Sequence, residues 1–160
     1  MRSVFGLIMI LFAIAGSQVF CTRNDSGNTV TKTPPPVSID SMLRCYRQSN
    51  PDSVNLRTSL LATWQWEYIK CYWAPENANA SDFKNLSVAF KPNDSLEVKT
   101  NNQISGKAAW RLQKTNDGYF TLSTTPLVPQ LAGKVIVCAN RVIFFDSYVD
   151  GCDNYFKRLE

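Results

Sequence analysis

NLSVAFKPNDSLEVKTN, residues 85–101, holds two alternating runs around a turn. Leu86, Val88 and Phe90 alternate with Ser87 and Lys91, and Leu96 and Val98 with Glu97 and Lys99. Successive side chains of a strand point to opposite faces, so each run has one apolar and one water-facing side. The KPND between them (91–94) is turn chemistry. The stretch therefore reads as an antiparallel hairpin laid over an apolar interior.

Working outward, the same period recurs on both sides. Strands are expected at 63–71, 85–91, 95–101, 106–114, 118–124, 133–138, 141–147 and 152–158. Trp110 and Leu112 alternate with Arg111 and Gln113; Phe120 and Leu122 alternate with Thr121 and Ser123. Helical periodicity is absent over this region. A short helix precedes it at 38–50, ended by Asn50-Pro51, with another turn at 56–62. The fold class is all-β: an eight-stranded antiparallel up-and-down barrel with a short N-terminal helix. Such a barrel fills with side chains or holds one small ligand.

In a meander, alternate loops lie at opposite ends. The loops at 91–94, 115–118 and 139–140 are tight and rich in Asn, Asp and Gly. Those at 72–84, 102–105, 125–132 and 148–151 are longer, and bring Tyr72, Trp73, Leu127, Val128, Leu131 and Tyr148 to one rim. One end looks pinched and the other open. The cysteines follow from this. Cys138 ends the sixth strand at the pinched end and Cys152 starts the eighth at the open end, about 20 Å apart at ~3.3 Å per residue. A bridge needs Cα atoms within about 7 Å. Closure of the barrel brings Cys71 to Cys152, leaving Cys45 for Cys138. The mixed side-chain parity of Cys71 and Cys152 counts against that pairing, though strand ends and bulges can absorb it. The Cys45–Cys138 bridge is expected to pin the helix across the pinched end.

The front of the chain has the form of a secretory signal peptide over 1–20: Arg2, an apolar centre from Val4 to Ala15, then small residues. Cys21 follows. Its four downstream counterparts pair, so it is the odd cysteine in an oxidising compartment. Residues 21–37 are polar and end in three prolines, as a flexible tether does. Anchor, tether and a domain at 38–160 is the order of a lipoprotein lipidated at Cys21. Phe20 and Gln18 make an imperfect box for that cleavage, and cutting after Ser17 or retaining 1–20 as an anchor are the alternatives. The location implied is the cell envelope, as an outer-membrane lipoprotein, or else the periplasm or the exterior.

The formal charge of +4 is spread without a basic run, so no nucleic-acid partner is expected. The chain has no histidine, which removes the commonest general base and metal ligand. Asp146, Asp150 and Asp153 gather near the last hairpin, but Asp150-Gly151 reads first as a turn. No nucleophile motif is present, and the protein is expected not to be an enzyme and to carry no cofactor or metal. Short glycosylation frames at Asn24, Asn79, Asn85 and Asn93 carry little weight.

LLATW (60–64) resembles the opening of lipocalins, with Trp64 at the tryptophan and Ala62 where the family has glycine. FFDSYVDGCDNYFKR (144–158) resembles the end of small lipocalin-like lipoproteins of Bacteroidetes-type bacteria. The resemblance, over 60–158, implies a calycin-type barrel in which Arg158 stacks on Trp64. It also implies binding of a small apolar molecule at the open end. Trp66, Tyr68, Phe90, Trp110 and Phe120, with Phe145, either line that site or fill the core, core packing being weighed higher because interiors are dense. Trp73 and Leu127 would gate the mouth or touch a partner. Two functions are therefore expected: carriage of a small apolar or amphipathic ligand, or an envelope protein-interaction module or inhibitor with a filled barrel and functional loops.

Overall fold

The structure, a computed structural model, describes residues 36–73 and 85–159. The expected signal peptide, Cys21, nearly all of the tether and residues 74–84 of the first loop lie outside them. Two helices, α1 (Ile39–Ser49) and α2 (Ser53–Leu60), lead into eight strands. These are β1 (Thr63–Cys71), β2 (Leu86–Phe90), β3 (Ser95–Thr100), β4 (Gln103–Lys114), β5 (Phe120–Thr125), β6 (Lys134–Cys138), β7 (Arg141–Phe145) and β8 (Cys152–Arg158). Every strand runs antiparallel to its sequence neighbours, and β8 pairs back onto β1 to close the barrel.

The register fixes which side chains face inward. Trp64 lies opposite Val88, Val88 opposite Val98, and Val98 opposite Gly106. Leu112 lies opposite Leu122, and around the other side Val137 meets Val142, which meets Phe156, which meets Trp66. This ring is the interior. Gln65, Lys107, Arg111, Arg141 and Lys157 occupy the opposite face.

A bulge in β1 resolves the parity conflict. Its register with β8 shifts between Trp66 and Tyr68, so Trp66 faces Phe156 whereas Tyr68 faces Tyr155. The shift turns the end of β1 over and brings Cys71 to the same face as its partner Cys152. Both disulfides form as expected: Cys71–Cys152 with Cα atoms 4.3 Å apart and Cys45–Cys138 at 5.9 Å.

Two expectations need correction. The loop at 102–105 is not a loop: β4 begins at Gln103, and Asn101 and Asn102 alone make the turn, with φ of 53° and 63°. Paired positive φ values suit a two-residue hairpin turn, and asparagine tolerates them better than most residues. A second register shift, between Val98 and Lys99, absorbs the added strand residues.

The Cys45–Cys138 bridge does not lay α1 across the closed end. Thr121, on the outer face of β5, pairs with Lys134, so Lys134, Ile136 and Cys138 face outward. The bridge therefore hangs α1 on the outer wall of β6. There α1 buries Met42 and Tyr46, with Ile39 and Leu43 half-buried on the same helical stripe. Ile136 and Ile143, on the outer face, are also fully buried. The helix at the closed end is α2, capped by the Asp52 carboxylate, which accepts from the Asn55 N–H at 2.7 Å. Trp64 Nε1 donates to the Leu60 carbonyl at 2.9 Å, joining the end of α2 to β1.

Candidate functional site at the open end

The closed half of the barrel is plugged by its own aromatics. Phe90 and Trp110 meet edge to face at 5.2 Å, and Phe156 stacks on Trp66 at 6.0 Å while meeting Phe144 edge-on at 5.5 Å. Arg57 of α2 covers the plug from outside. Its guanidinium lies 4.6 Å from the Trp110 ring centroid and pairs with Asp94 in the β2–β3 turn. Arg158 lies 5.8 Å from the Trp64 centroid, directly across the β1–β8 ladder. These are cation–π contacts at the same end.

Of the residues expected to line a site, Trp66, Phe90, Trp110 and Phe120 are at most 4% exposed and belong to this plug. Tyr68 is buried but lies outside the barrel interior. The β1 bulge sets it on the outer face, edge-on to Tyr155 at 5.5 Å. Phe145 is also outward, opposite Lys134 and 5.8 Å from the Tyr148 ring. Trp73 and Leu127, at 69% and 73% exposure, stand at the open end as expected.

Packing toward that end is uneven: Val135, Phe144 and Leu131 are buried on the β5–β8 side, Leu131 in the core and not on the rim where it was expected, while the β1–β3 side is looser. Ile69, Leu86 and Val98 carry inward positions in the open halves of β1, β2 and β3, and they are half-buried where Val88 and Leu96 are fully buried. Gly106, opposite Val98, adds no side chain, and a Cβ there would meet only the Val98 Cβ, at 3.8 Å. This stretch of the inner wall is apolar and incompletely packed. Apolar walls with few polar groups are the usual composition of a small-molecule site.

Asn154 is a buried polar side chain on the inner face, and alternation alone did not single it out. Asn154 lies between Phe144 and Ile69 in the β7–β8–β1 ladder and is 5% exposed. Its inward parity, two residues from Phe156, was the available signal.

The neighbouring Asp153 is fully buried on the outer side. Its carboxylate accepts from the Asp146 N–H at 3.0 Å, the Ser147 N–H at 2.9 Å and the Ser147 hydroxyl at 3.0 Å. Burial pushes its pKa up, against the pull of those bonds. Asp153 thus holds the β7–β8 connection, and the Asp146 side chain leaves no space for a Cβ at Gly151. The clustered aspartates support the rim. Lower on the outer wall, Lys134 bonds Asp117 at 2.6 Å and holds that carboxyl down to about 2.

A cleft of about 320 Å³ lies outside the barrel, between α1, α2 and the end of β6, lined by Ser49, Leu56 and Val137 among others. None of the residues expected to bind ligand lines it. Compared with protein-family models, curated proteins and solved structures, the chain gives no match. What stands is an eight-stranded antiparallel barrel consistent with a lipocalin-like fold.

Proposed function

We propose that this protein is an exported, lipid-anchored, non-enzymatic binder of a small apolar or amphipathic molecule, taken at the open end of its barrel. The observation that carries this reading is a patch of incomplete packing on the inner wall: Ile69, Leu86 and Val98 are half-buried, and a Cβ at Gly106 would meet only the Val98 Cβ. The plug limits the ligand to a small molecule, or to one end of a longer one. Affinity comes from removing apolar surface from water, at roughly 25 cal/mol per Å². Trp66 and Phe144 would form the floor. Lipidation at Cys21 would hold the barrel at the cell envelope.

A second reading has its own support. Trp73, Leu127, Tyr148 and Val149 are exposed apolar groups in the open-end loops. Such a rim also suits an envelope protein partner, with the barrel serving as scaffold. Native mass spectrometry of the oxidised protein, before and after unfolding, separates the two. An adduct of a few hundred daltons that leaves on unfolding supports the carrier. A bare mass that persists after incubation with a lipid extract sinks it and leaves the rim as the functional surface.

A further inference from the structure

Eight large apolar side chains stand exposed among the described residues, and they are not scattered. Val54 of α2 and Leu159 after β8 lie toward the closed end. The other six, Tyr72, Trp73, Ile104, Leu127, Tyr148 and Val149, lie at the open end. Single exposed apolar residues are ordinary on a protein surface, but a group gathered at one end marks an interaction site.

Four separate connections supply them. Tyr72 and Trp73 follow β1, Ile104 follows the β3–β4 turn, Leu127 follows β5, and Tyr148 and Val149 belong to the β7–β8 connection. The Cys71–Cys152 bond ties the first of these to the last, since Cys71 precedes Tyr72 and Cys152 lies three residues after Val149. None of the six lines the cleft beside α1, the hollow at Gln65 and Lys157 or the hollow at Asp40 and Arg44. They project as tips and enclose no pocket there. A tight protein partner anchors its side chains in pockets; a fluid apolar medium needs none.

Behind the tips stand cations. The Lys70 ammonium lies 4.2 Å from the Tyr72 ring centroid, and Lys99 lies opposite Ile104 in the β3–β4 ladder. Asp150 is the exposed acid among the described rim residues. Apolar tips with ammonium groups set back from them match the layers of a phospholipid surface, where phosphate lies above the acyl chains. Tyr and Trp favour that boundary, their rings in the apolar side and their polar atoms wet.

We propose that the open-end rim docks directly onto a phospholipid bilayer, with Trp73, Leu127 and Val149 entering the outermost acyl region and Lys70 and Lys99 meeting lipid phosphates. This contact is additional to any anchor at Cys21. It does not require a ligand in the barrel, so it stands or falls apart from the carrier reading.

The tryptophans make the test specific. Trp64, Trp66 and Trp110 are at most 3% exposed, whereas Trp73 is 69% exposed. Residues 1–35 contain no tryptophan, so neither an anchor nor the tether contributes to the signal. The intact oxidised chain is mixed with phosphatidylcholine vesicles, either plain or brominated on the acyl chains. Bromine quenches a tryptophan only where the two come into contact. Emission is expected to fall in the brominated vesicles by no more than the share of one tryptophan in four, and Trp73→Phe should abolish the fall. Leu127→Ser/Val149→Ser keeps Trp73 but removes two other tips, and is expected to lose roughly half of the quenching or more, since buried apolar area drives insertion. No quenching in the wild type overturns the docking and leaves the rim to a protein partner. Quenching that persists in Trp73→Phe also overturns it, because the signal would then come from the plug. Full quenching in the double variant does so too, because Trp73 would be entering lipid without the rest of the rim. The substituted side chains are all exposed, and native near-ultraviolet circular dichroism checks that each variant keeps the fold.

Discussion

Tyr46 shows how much a single side chain can set against the fold around it. Its ring stacks on Tyr119 at 5.7 Å, nearly parallel, and the Tyr119 hydroxyl accepts from Arg47 at 3.2 Å. The Tyr46 hydroxyl is buried and has no partner among the described residues. Burial, with Tyr119 adding to it, pushes its pKa from 10.0 up to about 12. Between those values the unfolded chain loses the proton while the folded one keeps it. The folded state then binds more protons, so stability is complete below pH 10 and falls as pH rises toward 12. Tyr46→Phe keeps the stacked ring and removes the orphan oxygen. Urea titrations should show the variant about 1 kcal/mol more stable at pH 7, with a shallower decline above pH 10. The decline should not vanish, because burial also raises the Tyr155 pKa. A variant less stable at pH 7 would mean that the hydroxyl has a partner. At this scale the sequence was partly legible. Trp64 and Arg158 could be placed from a motif, but Tyr68 could not. Period two puts Tyr68 beside Trp66, and only the bulge between them sends it outward. A bulge is a single backbone event that leaves the residue pattern unchanged.

Elements differ in how firmly the register holds them. β6 and β7 share five paired positions, while β5 and β6 share one, Thr121 with Lys134. The seam is reinforced from outside. Lys134 reaches back to Asp117 in the β4–β5 turn, Tyr119 of that turn stacks under α1, and α1 is bonded to Cys138. Amides freed by local opening exchange before those that need global unfolding. Hydrogen exchange should therefore find β5 amides near the seam exchanging first among the strands, and β1 and β8 last. Replacing Cys45 and Cys138 by Ser should drop protection in α1 and β6 well before it alters the order elsewhere. Uniform exchange across all eight strands would show that the seam is not a weak point. The hairpins were legible because their turns carry Asn, Asp and Gly between alternating runs. The placement of α1 was not. In KVIVC (134–138) both parities are apolar, Val135 and Val137 on one side and Ile136 on the other, so the run does not say which face Cys138 takes. The bridge itself fixes one point of the helix and no direction.

For the molecule as a whole, closure depends on one ladder and one covalent bond. β1 and β8 share seven paired positions, ending at Cys71 opposite Cys152, and these two cysteines are bonded across 81 residues of sequence. The bond lies at the open end, on the inner face. The closed end is held differently, by Arg57 over Trp110, Arg158 over Trp64 and the packed aromatics beneath them. Reduction or replacement of Cys71 and Cys152 should therefore act unequally along the barrel. The denatured chain gains the freedom of a long loop, at a cost to stability of about 2–4 kcal/mol, or roughly 10 °C in Tm for a domain of this size. The plug should survive at ordinary temperature, because its contacts do not involve the bond. The mouth should loosen, since the first turn of the β1–β8 ladder loses its clamp. For Cys71→Ser/Cys152→Ser the expected outcome is a native-like near-ultraviolet signal from the buried tryptophans, a lower Tm, and an affinity for a small amphipathic probe such as 1-octanol reduced more than the modest fall in stability at the assay temperature explains. Unchanged octanol affinity in a folded double variant would place ligand contact away from the Cys71–Cys152 edge, toward β2 and β3. Loss of the tryptophan signal would show instead that the closed end does not hold on its own, and that the barrel is one cooperative unit from rim to plug.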